Sequence, residues 1–531
     1  ENNDGVRIMM SANQSRQALP LENPEPPYVQ SGYETILTNV LSDNFIKRSP
    51  CNGKIIEITD TYISVKCADG KIEQIDITPR TLRSGTGKNT LSIFIPTVKQ
   101  NIAVKKGQII AEGSSIKNGI ISQGRNILVG IMPYKGFNYE DGVVINEKLV
   151  SDKKLTSLHL IEEEIEIDNS DRISFFMDKI NTVTNKGDHL LRKSIGEIEK
   201  MIGFDVDEES EEFISGQYIK KSGGGKIVNI EVFSNLENED NFQSLKTIIN
   251  KTNQKYKKPK NEKYTIKGKP IKGALIKYKI QQNLDISFGD KLCNRYGNKG
   301  IISLIEKDNL MPRTPWGESL DIVMNPLGIL NRMNIGQLYE MYCGLIGKEL
   351  YYRIMKLGPK KNEIANLLRS TIGVLDSTTG KKSSELLIQK ILKMPENMFK
   401  EFYSQIYESK VFPIIIPPFK SPNYKLIQTV LKTLNLKPSY KLYLPEYNTH
   451  TSFNVAVGYM YIQKLEHLGD LKIHSRGTGP VTGKYLQPTQ GKRRAGGQRV
   501  GESDSFAQIA YGSLYTLQEL FGPLSDDQRT K

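Results

Sequence analysis

Two lysines eight residues apart, Lys291 and Lys299, each lie next to a glycine turn in the run GDKLCNRYGNKG. A lysine ammonium is a compact point charge on a flexible stem, suited to holding a phosphate. Glycines beside it let the backbone approach a ligand closely. A third cation, Arg332, follows the turn Asn325-Pro326-Leu327-Gly328. In isolation GNKG describes two surface lysines in a turn just as well. Two acids, Glu140 and Asp141, lie side by side in MPYKGFNYEDGVVINE. Adjacent residues of a strand point to opposite faces, so both can serve one metal ion only where a turn intervenes. Near the end, seven Lys or Arg and no acid lie between Leu471 and Arg499. Glycines keep that backbone open, which suits contact with a phosphate backbone without base reading, although a solvated basic loop has the same composition.

Two phosphate-loop imitations fail. SGTGKNT, at residues 84–90, has Leu82 where the first glycine belongs and Asn89 where Ser or Thr belongs,. SGGGK, at 222–226, precedes a strand instead of following one. Both read as turns.

These groups need elements to position them. The chain has 531 residues, enough for three or four domains on length alone, and a net charge of +14, which suits a polyanionic partner,. Its four cysteines, Cys51, Cys67, Cys293 and Cys343, form no CxxC pair, so neither a zinc ribbon nor a disulfide framework is indicated,. A reducing, cytoplasmic compartment follows as the expectation. Neither a membrane span nor a signal peptide is expected. Abundant Lys, Asn and Ile hint at an AT-rich coding sequence, and the first residue is not Met.

Residues 1–34 are polar and proline-broken, which predicts an extended connecting segment,. From 45 to 132, short alternating runs such as KIIEI and YISVKC predict a small β domain,. Residues 150–260 alternate acidic clusters with short strands and a basic tail, as in a protruding module. Strands and tight turns return over 264–337. Helical spacing dominates 333–440, closed by FPIIIPPF,.

The stretch from Gly289 to Gln337, together with GRNILVGIMPYKGFNYED and GGQRVGESDSFAQIAYGSLYTLQELF, resembles the β subunit of bacterial-type multisubunit RNA polymerases. The resemblance extends over 1–34, 45–147, 276–350 and about 410–527. It implies a mixed α/β (α+β) fold with a double-psi β-barrel core, a β-rich sandwich module, an inserted flap module and a helical segment. The implied boundaries are a connecting segment to 44, a hybrid-binding module at 45–124, barrel parts at 125–149 and 276–344, a flap-like insertion at 150–275 and helices at 345–450. Residues 451–531 would hold the last barrel part, the basic loop and a C-terminal helix. The barrel strands are expected near 125–147, 276–332 and 455–480.

The same resemblance implies that Lys291 and Lys299 face the RNA 3′ end and the incoming nucleotide, and that Arg332 reaches the triphosphate. Arg7, Arg16 and Gln17 would face nucleotide or nucleic-acid phosphates, and His474 the initiating nucleotide. Lys472, Arg476, Lys492, Arg493, Arg494 and Arg499 would lie along the RNA–DNA hybrid and template. Glu140 and Asp141 would stand near a second Mg²⁺, acting through water. The chain shows no DxDGD-like cluster, so the Mg²⁺ is expected to be held mainly by a β′-like partner. The further expected partners are an N-terminal β chain, a specificity factor, template DNA, RNA and nucleoside triphosphates.

Three departures qualify the match. Tyr296 stands where the family usually has histidine. The N-terminal half of β and its terminal clamp anchor have no counterpart, which points to a fragment or a split β subunit such as large bacteriophages encode, acting in the cytoplasm of a bacterial host. The readings set against template-directed RNA synthesis are a non-catalytic scaffold derived from β and a generic basic RNA-binding protein.

Overall fold

In the computed structural model all residues are described except 1, 42, 84–88, 168–171, 185–188, 195–213, 219–224, 236–242, 257–262, 267–268, 272, 377–381, 419, 526 and 528–531. The core of SGTGKNT, the first three residues of SGGGK and most of the acidic clusters and basic tail of 205–262 therefore fall outside the described residues. The chain forms two compact units, residues 1–468 and 469–531.

Six strands of the first unit close into a ring. They are β1 (Arg125–Ile131), β2 (Gly142–Asn146), β3 (Lys291–Cys293), β4 (Lys299–Glu306), β5 (Ile322–Met324) and β6 (Val455–Lys464). Around the ring, β1 pairs with β5 and β2 with β4 in parallel. The β5–β2, β4–β3, β3–β6 and β6–β1 pairs are antiparallel. Closure leaves these strands no free edges.

The continuous apolar runs NILVGI and GVVIN indicate strands buried on both faces, and so they are. Ile127, Val129, Val143, Ile145 and Met460 share one cluster. The alternate residues Leu128, Val144, Val323 and Val457 share another with Leu320 and Met311. Each such fully buried side chain contributes roughly 2 kcal/mol of hydrophobic stabilisation.

The other modules have their own cores. Residues 46–113 form a four-stranded and a three-stranded sheet around Ile55, Ile63, Val65, Phe94 and Ile110. Here Cys51 and Cys67 are joined in a disulfide, against the expectation from cysteine spacing. The reason is register: Gly53 pairs with Cys67 across two antiparallel strands, bringing together residues sixteen apart. The bond removes the ground on which cysteine usage argued for a reducing compartment.

In the insertion, strands Ser157–Ile167, Ala274–Leu284, Gly225–Ser234 and Val183–Thr184 form one sheet, with the helix Gln243–Lys255 packed on its core. Residues 276–284 were expected in the barrel. They belong to this sheet, pairing with both Ser157–Ile167 and Gly225–Ser234, because their long alternating pattern needs two neighbours that the closed ring cannot offer.

The N-terminal segment also differs from expectation. Asn2–Arg16 is a helix, α1, and only the chain beyond it is extended, bridging at Ala18, Leu21 and Glu25. Every proline of the segment (Pro20, Pro24, Pro26, Pro27) lies after Arg16, so nothing breaks the helix before it.

The helical segment comprises α2 (Gly336–Leu357), α3 (Lys361–Leu375), α4 (Lys382–Lys393), α5 (Glu396–Ser409) and α6 (Tyr424–Thr433), which share one core. Helix α2 lies directly on β6. A side-chain carbon at Gly458 would stand 2.4 Å from the Met341 carbonyl oxygen, and one at Gly344 2.8 Å from that of Tyr459. Only glycine permits that approach. Among the described residues no helix is long and apolar enough to cross a membrane.

At the root of the insertion His159 is half-buried with its Nε2 2.9 Å from Ser157 Oγ. Burial, aided by the charge of Lys464, pushes its pKa down from 6.5 to about 4. The folded state therefore favours neutral imidazole. Below pH 6.5 the unfolded chain takes up a proton that the folded chain refuses, so stability is lost as pH falls from about 6.5 to about 4, by roughly 3 kcal/mol. Urea midpoints measured across that range are expected to fall, and the fall to be shallower in His159→Gln.

Candidate functional site

Strands β3 and β4 form a hairpin whose register pairs Cys293 with Lys299 and Lys291 with Ile301. Because side chains alternate along a strand, Lys291 and Lys299 lie on one face of the hairpin as diagonal neighbours. That face is outward: Lys299, Ile301 and Ser303 are exposed, while Gly300 and Ile302 are buried. Among the described residues neither lysine ammonium has a hydrogen-bond or ion-pair partner.

The turn between them is built on buried amides. Asn294 Oδ1 accepts from the backbone N–H of Tyr296 (2.9 Å) and of Asn298 (3.2 Å). Gly297 supplies a φ of +71°, where a side chain would be strained. Below the turn Gln337, fully buried in the first turn of α2, accepts from Asn294 Nδ2 at 2.7 Å and Asn298 Nδ2 at 3.4 Å. It donates in turn to Asn334 Oδ1 at 2.6 Å, and Asn334 Nδ2 donates to the Tyr296 carbonyl at 3.2 Å. Beside this network Arg295 donates to the buried carboxylate of Glu340 at 2.7 Å. The Tyr296 ring lies against Gly336, where an added side-chain carbon would come within 2.7 Å of it. Burial raises the Tyr296 phenol well above its ordinary range, with Glu340 adding to the effect.

Arg332 joins the same turn from behind, donating from Nη1 to Asn298 Oδ1 at 2.7 Å. Its Nη2 lies 2.5 Å and 2.7 Å from the two carboxylate oxygens of Asp141. The Asp141 carbonyl accepts from Ile301 N–H at 2.9 Å, which fixes the acid beside β4. Glu140 precedes it in a turn with φ +51° and is exposed. The turn that two adjacent acids need is therefore present, but both Asp141 oxygens are committed to Arg332. Among the described residues no group of three or more His, Cys, Asp or Glu could hold a metal ion.

Helix α1 packs on the hairpin turn. Arg7 Nη1 donates to the Gly297 carbonyl at 3.2 Å, and Ser11 Oγ to that of Arg295 at 2.6 Å. Past the helix, the Gln17 carbonyl accepts from Glu466 N–H at 3.0 Å, and its side-chain oxygen is 3.2 Å from His467 Nε2. Arg16 is exposed. His467 was not singled out from the sequence, yet its carbonyl accepts from Lys291 N–H at 3.2 Å. It follows Glu466 in a segment without motif character, so only the β3–β6 pairing exposes its proximity to Lys291. The first unit thus gathers Arg7, Lys299, Arg332 and Asp141 at one turn, with Lys291 on the adjoining strand and Gln17 reaching its segment through His467.

The remaining candidates belong to the second unit. Its described residues include a short helix at Gly469–Lys472, a glycine-rich loop, and the helices α7 (Glu502–Tyr511) and α8 (Leu514–Phe521). Several of its basic groups shape the loop itself. His474 Nε2 pairs with the Gly496 carbonyl at 2.6 Å. Arg476 donates to the carbonyls of Ala495 and of Pro480, the latter at 2.9 Å. Lys492 Nζ donates to Leu471 O at 2.5 Å. Lys472, Arg494 and Arg499 are exposed, and the Arg493 side chain lies outside the described set. His474, Arg476 and Lys492 thus each use a hydrogen bond to hold the loop.

Together these elements make a closed barrel carrying a glycine-turn hairpin with two lysines on one face. The sequence matches the family described as RNA polymerase Rpb2, domain 6, over residues 53–494, and the chain belongs to that family. It is 31% identical to the DNA-directed RNA polymerase subunit beta of Acetivibrio thermocellus, over 99% of this chain and 37% of the relative. The identity to the corresponding subunit of Prochlorococcus marinus subsp. pastoris is 30%, over 100% of this chain and 44% of the relative. For Mycoplasma pneumoniae it is 28%, over 99% and 39%. The chain thus spans less than half the length of these relatives.

Replacing Gln337 tests whether the amide network holds the turn. Gln337→Leu leaves buried groups of Asn294, Asn298 and Asn334 short of partners, at about 1–3 kcal/mol for each unsatisfied group. A lowered urea midpoint is expected, while Arg16→Ala stays within about 0.5 kcal/mol of the parent.

Proposed function

We propose that this chain works in template-directed RNA synthesis as the C-terminal part of a β-type RNA polymerase subunit, whichever polypeptide carries the rest. The observation that carries the reading is the hairpin: Lys291 and Lys299 share one outward face with no protein partner among the described residues. A scaffold has no use for two unpartnered ammonium groups aimed from a turn held this rigidly.

In this role Lys291 and Lys299 contact the RNA 3′ end and the incoming nucleoside triphosphate. Their positive charge lowers the cost of the negative charge that builds on the transferring phosphate. Arg332 is held ready by Asp141 and exchanges that carboxylate for a phosphate oxygen of the triphosphate. Guanidinium suits both, since its planar fork matches carboxylate and phosphate alike. Arg7 reaches nucleic-acid phosphate beside the hairpin turn. The six-stranded ring is the double-psi barrel, and the exposed Arg494 and Arg499 of the second unit bind the sugar–phosphate backbone of the hybrid.

Phosphoryl transfer of this class uses two metal ions clamped by carboxylates. Asp141 is paired with Arg332 and Glu140 stands alone, so the Mg²⁺ ligands come from a β′-like partner. This chain supplies the cationic side of a shared centre and is inactive by itself.

The test is purification of the tagged chain with its partners, followed by template-dependent primer extension with Mg²⁺. Complexes carrying Lys291→Ala or Lys299→Ala are expected to keep their subunit composition and to extend on the order of 100-fold more slowly. Extension at the parental rate in either variant rejects the assigned roles, and a chain that purifies without any metal-bearing partner rejects the polymerase reading.

A further inference from the structure

Lys464, the last residue of β6, has a completely buried side chain. Its ammonium donates to the carbonyls of Leu284 and Asp285, each at 3.0 Å. It also lies 3.6 Å from Oδ2 of Asp290, whose side chain is 2% exposed. Three stretches of chain therefore meet at one charge: the end of the insertion sheet, the residue before Lys291, and β6. A fourth joins through the Lys464 carbonyl, which accepts from Leu19 N–H at 2.8 Å.

Burying an ion pair costs desolvation that its mutual attraction often fails to exceed, and a hydrocarbon of similar size commonly gives equal or greater stability. Packing alone therefore does not call for Lys464. What an ammonium does that a hydrocarbon cannot is fix several oxygens relative to one another.

Those oxygens lead to Lys291. Asp290 is its chain neighbour, and the Asp290 carboxylate also accepts from Ser287 N–H at 3.1 Å. Its carbonyl accepts from Ile302 N–H at 3.0 Å. Lys291 itself is tied on both sides of its backbone, donating to His467 O at 3.2 Å and accepting from Leu465 N–H at 2.9 Å. Both of those partners lie within three residues of Lys464. Moving the ammonium would shift the strand that carries the Lys291 side chain and the segment that holds its backbone together.

We propose that Lys464 and Asp290 are positioning residues: their buried ion pair sets the placement of the Lys291 ammonium on its phosphate. This rests on the reading of Lys291 given above. The pair touches neither nucleotide nor RNA and acts only through Lys291.

The experiment uses the purified complex with Lys464→Met/Asp290→Asn, which removes both charges at once and leaves no uncompensated ion. It is compared with Lys464→Arg, which keeps the charge but moves the donors, and with Lys291→Ala. Melting temperature, kcat and KM for the nucleoside triphosphate are measured for each. The double variant is expected to fold with a lowered melting temperature, because the Leu284 and Asp285 carbonyls lose a donor,, to keep its KM, and to lose on the order of tenfold or more in kcat, since a misplacement of about 1 Å costs up to 100-fold. Lys464→Arg is expected to be folded and slow as well. A parental kcat in either folded variant overturns the proposal. If the double variant does not fold, Lys464→Arg alone decides. A parental rate in Lys291→Ala instead removes the reading on which the proposal rests, so the two failures are told apart.

Discussion

Everything at the candidate site depends on one buried constraint: the side-chain amides of Asn294, Asn298 and Gln337 hydrogen-bonded to one another beneath the β3–β4 turn. Two like-charged lysines on a free hairpin would drift apart and sample many rotamers. Here the turn is pinned from below by Gln337, from behind by Arg332 through Asn298, and from above by helix α1 through Gly297 and Arg295. Each amide has both donor and acceptor capacity, so a closed network can be satisfied in the interior without introducing a charge. A half-satisfied network would be worse than none.

The charges around this turn are sorted by depth. Arg295 pairs with the buried Glu340 and makes a cation–π contact with Tyr461, its charge centre 5.2 Å from the ring centroid. Burial opposes its charge, but the pairing with Glu340 outweighs that and holds it ionised. Arg332 is intermediate, paired with an acid that is itself 40% exposed. Lys299 is exposed and Lys291 half-buried, and neither has such a partner among the described residues. This order, from committed to exchangeable to open, is what a site needs if some cations must build the frame while others meet a ligand. The second unit repeats the division of labour on a smaller scale, with His474, Arg476 and Lys492 holding the loop and Arg494 and Arg499 exposed.

Much of this was legible in the residues. The doubly buried strands 125–131 and 142–146 announce themselves as continuous apolar runs, and the helices of 336–433 by their 3.6-residue spacing. The lysine pair was visible because glycine marks the turn between its members. What was hidden had long-range causes. Residues 276–284 look like any strand until the insertion sheet claims them. The polar α1 has little amphipathic character and is held in place by a turn nearly 290 residues away. Cys51 and Cys67 become neighbours only through strand register. His467 and Lys464 owe their places to the pairing of β6 with β3, and no local pattern encodes that pairing. The loop contacts of His474, Arg476 and Lys492 were hidden as well, since composition counts a guanidinium equally whether it meets a phosphate or its own backbone.

In the proposed role Lys291 and Lys299 are open to a triphosphate, and competitive amine labelling of the assembled complex tests that most directly. The complex is labelled with a small acylating reagent, with and without template, primer and saturating nucleoside triphosphate, and each lysine is quantified by mass spectrometry. Both lysines are expected to react readily in the unliganded complex and to be protected when substrate is present, while the exposed Lys148 is labelled equally in both. Equal labelling of Lys291 and Lys299 with and without substrate would contradict it.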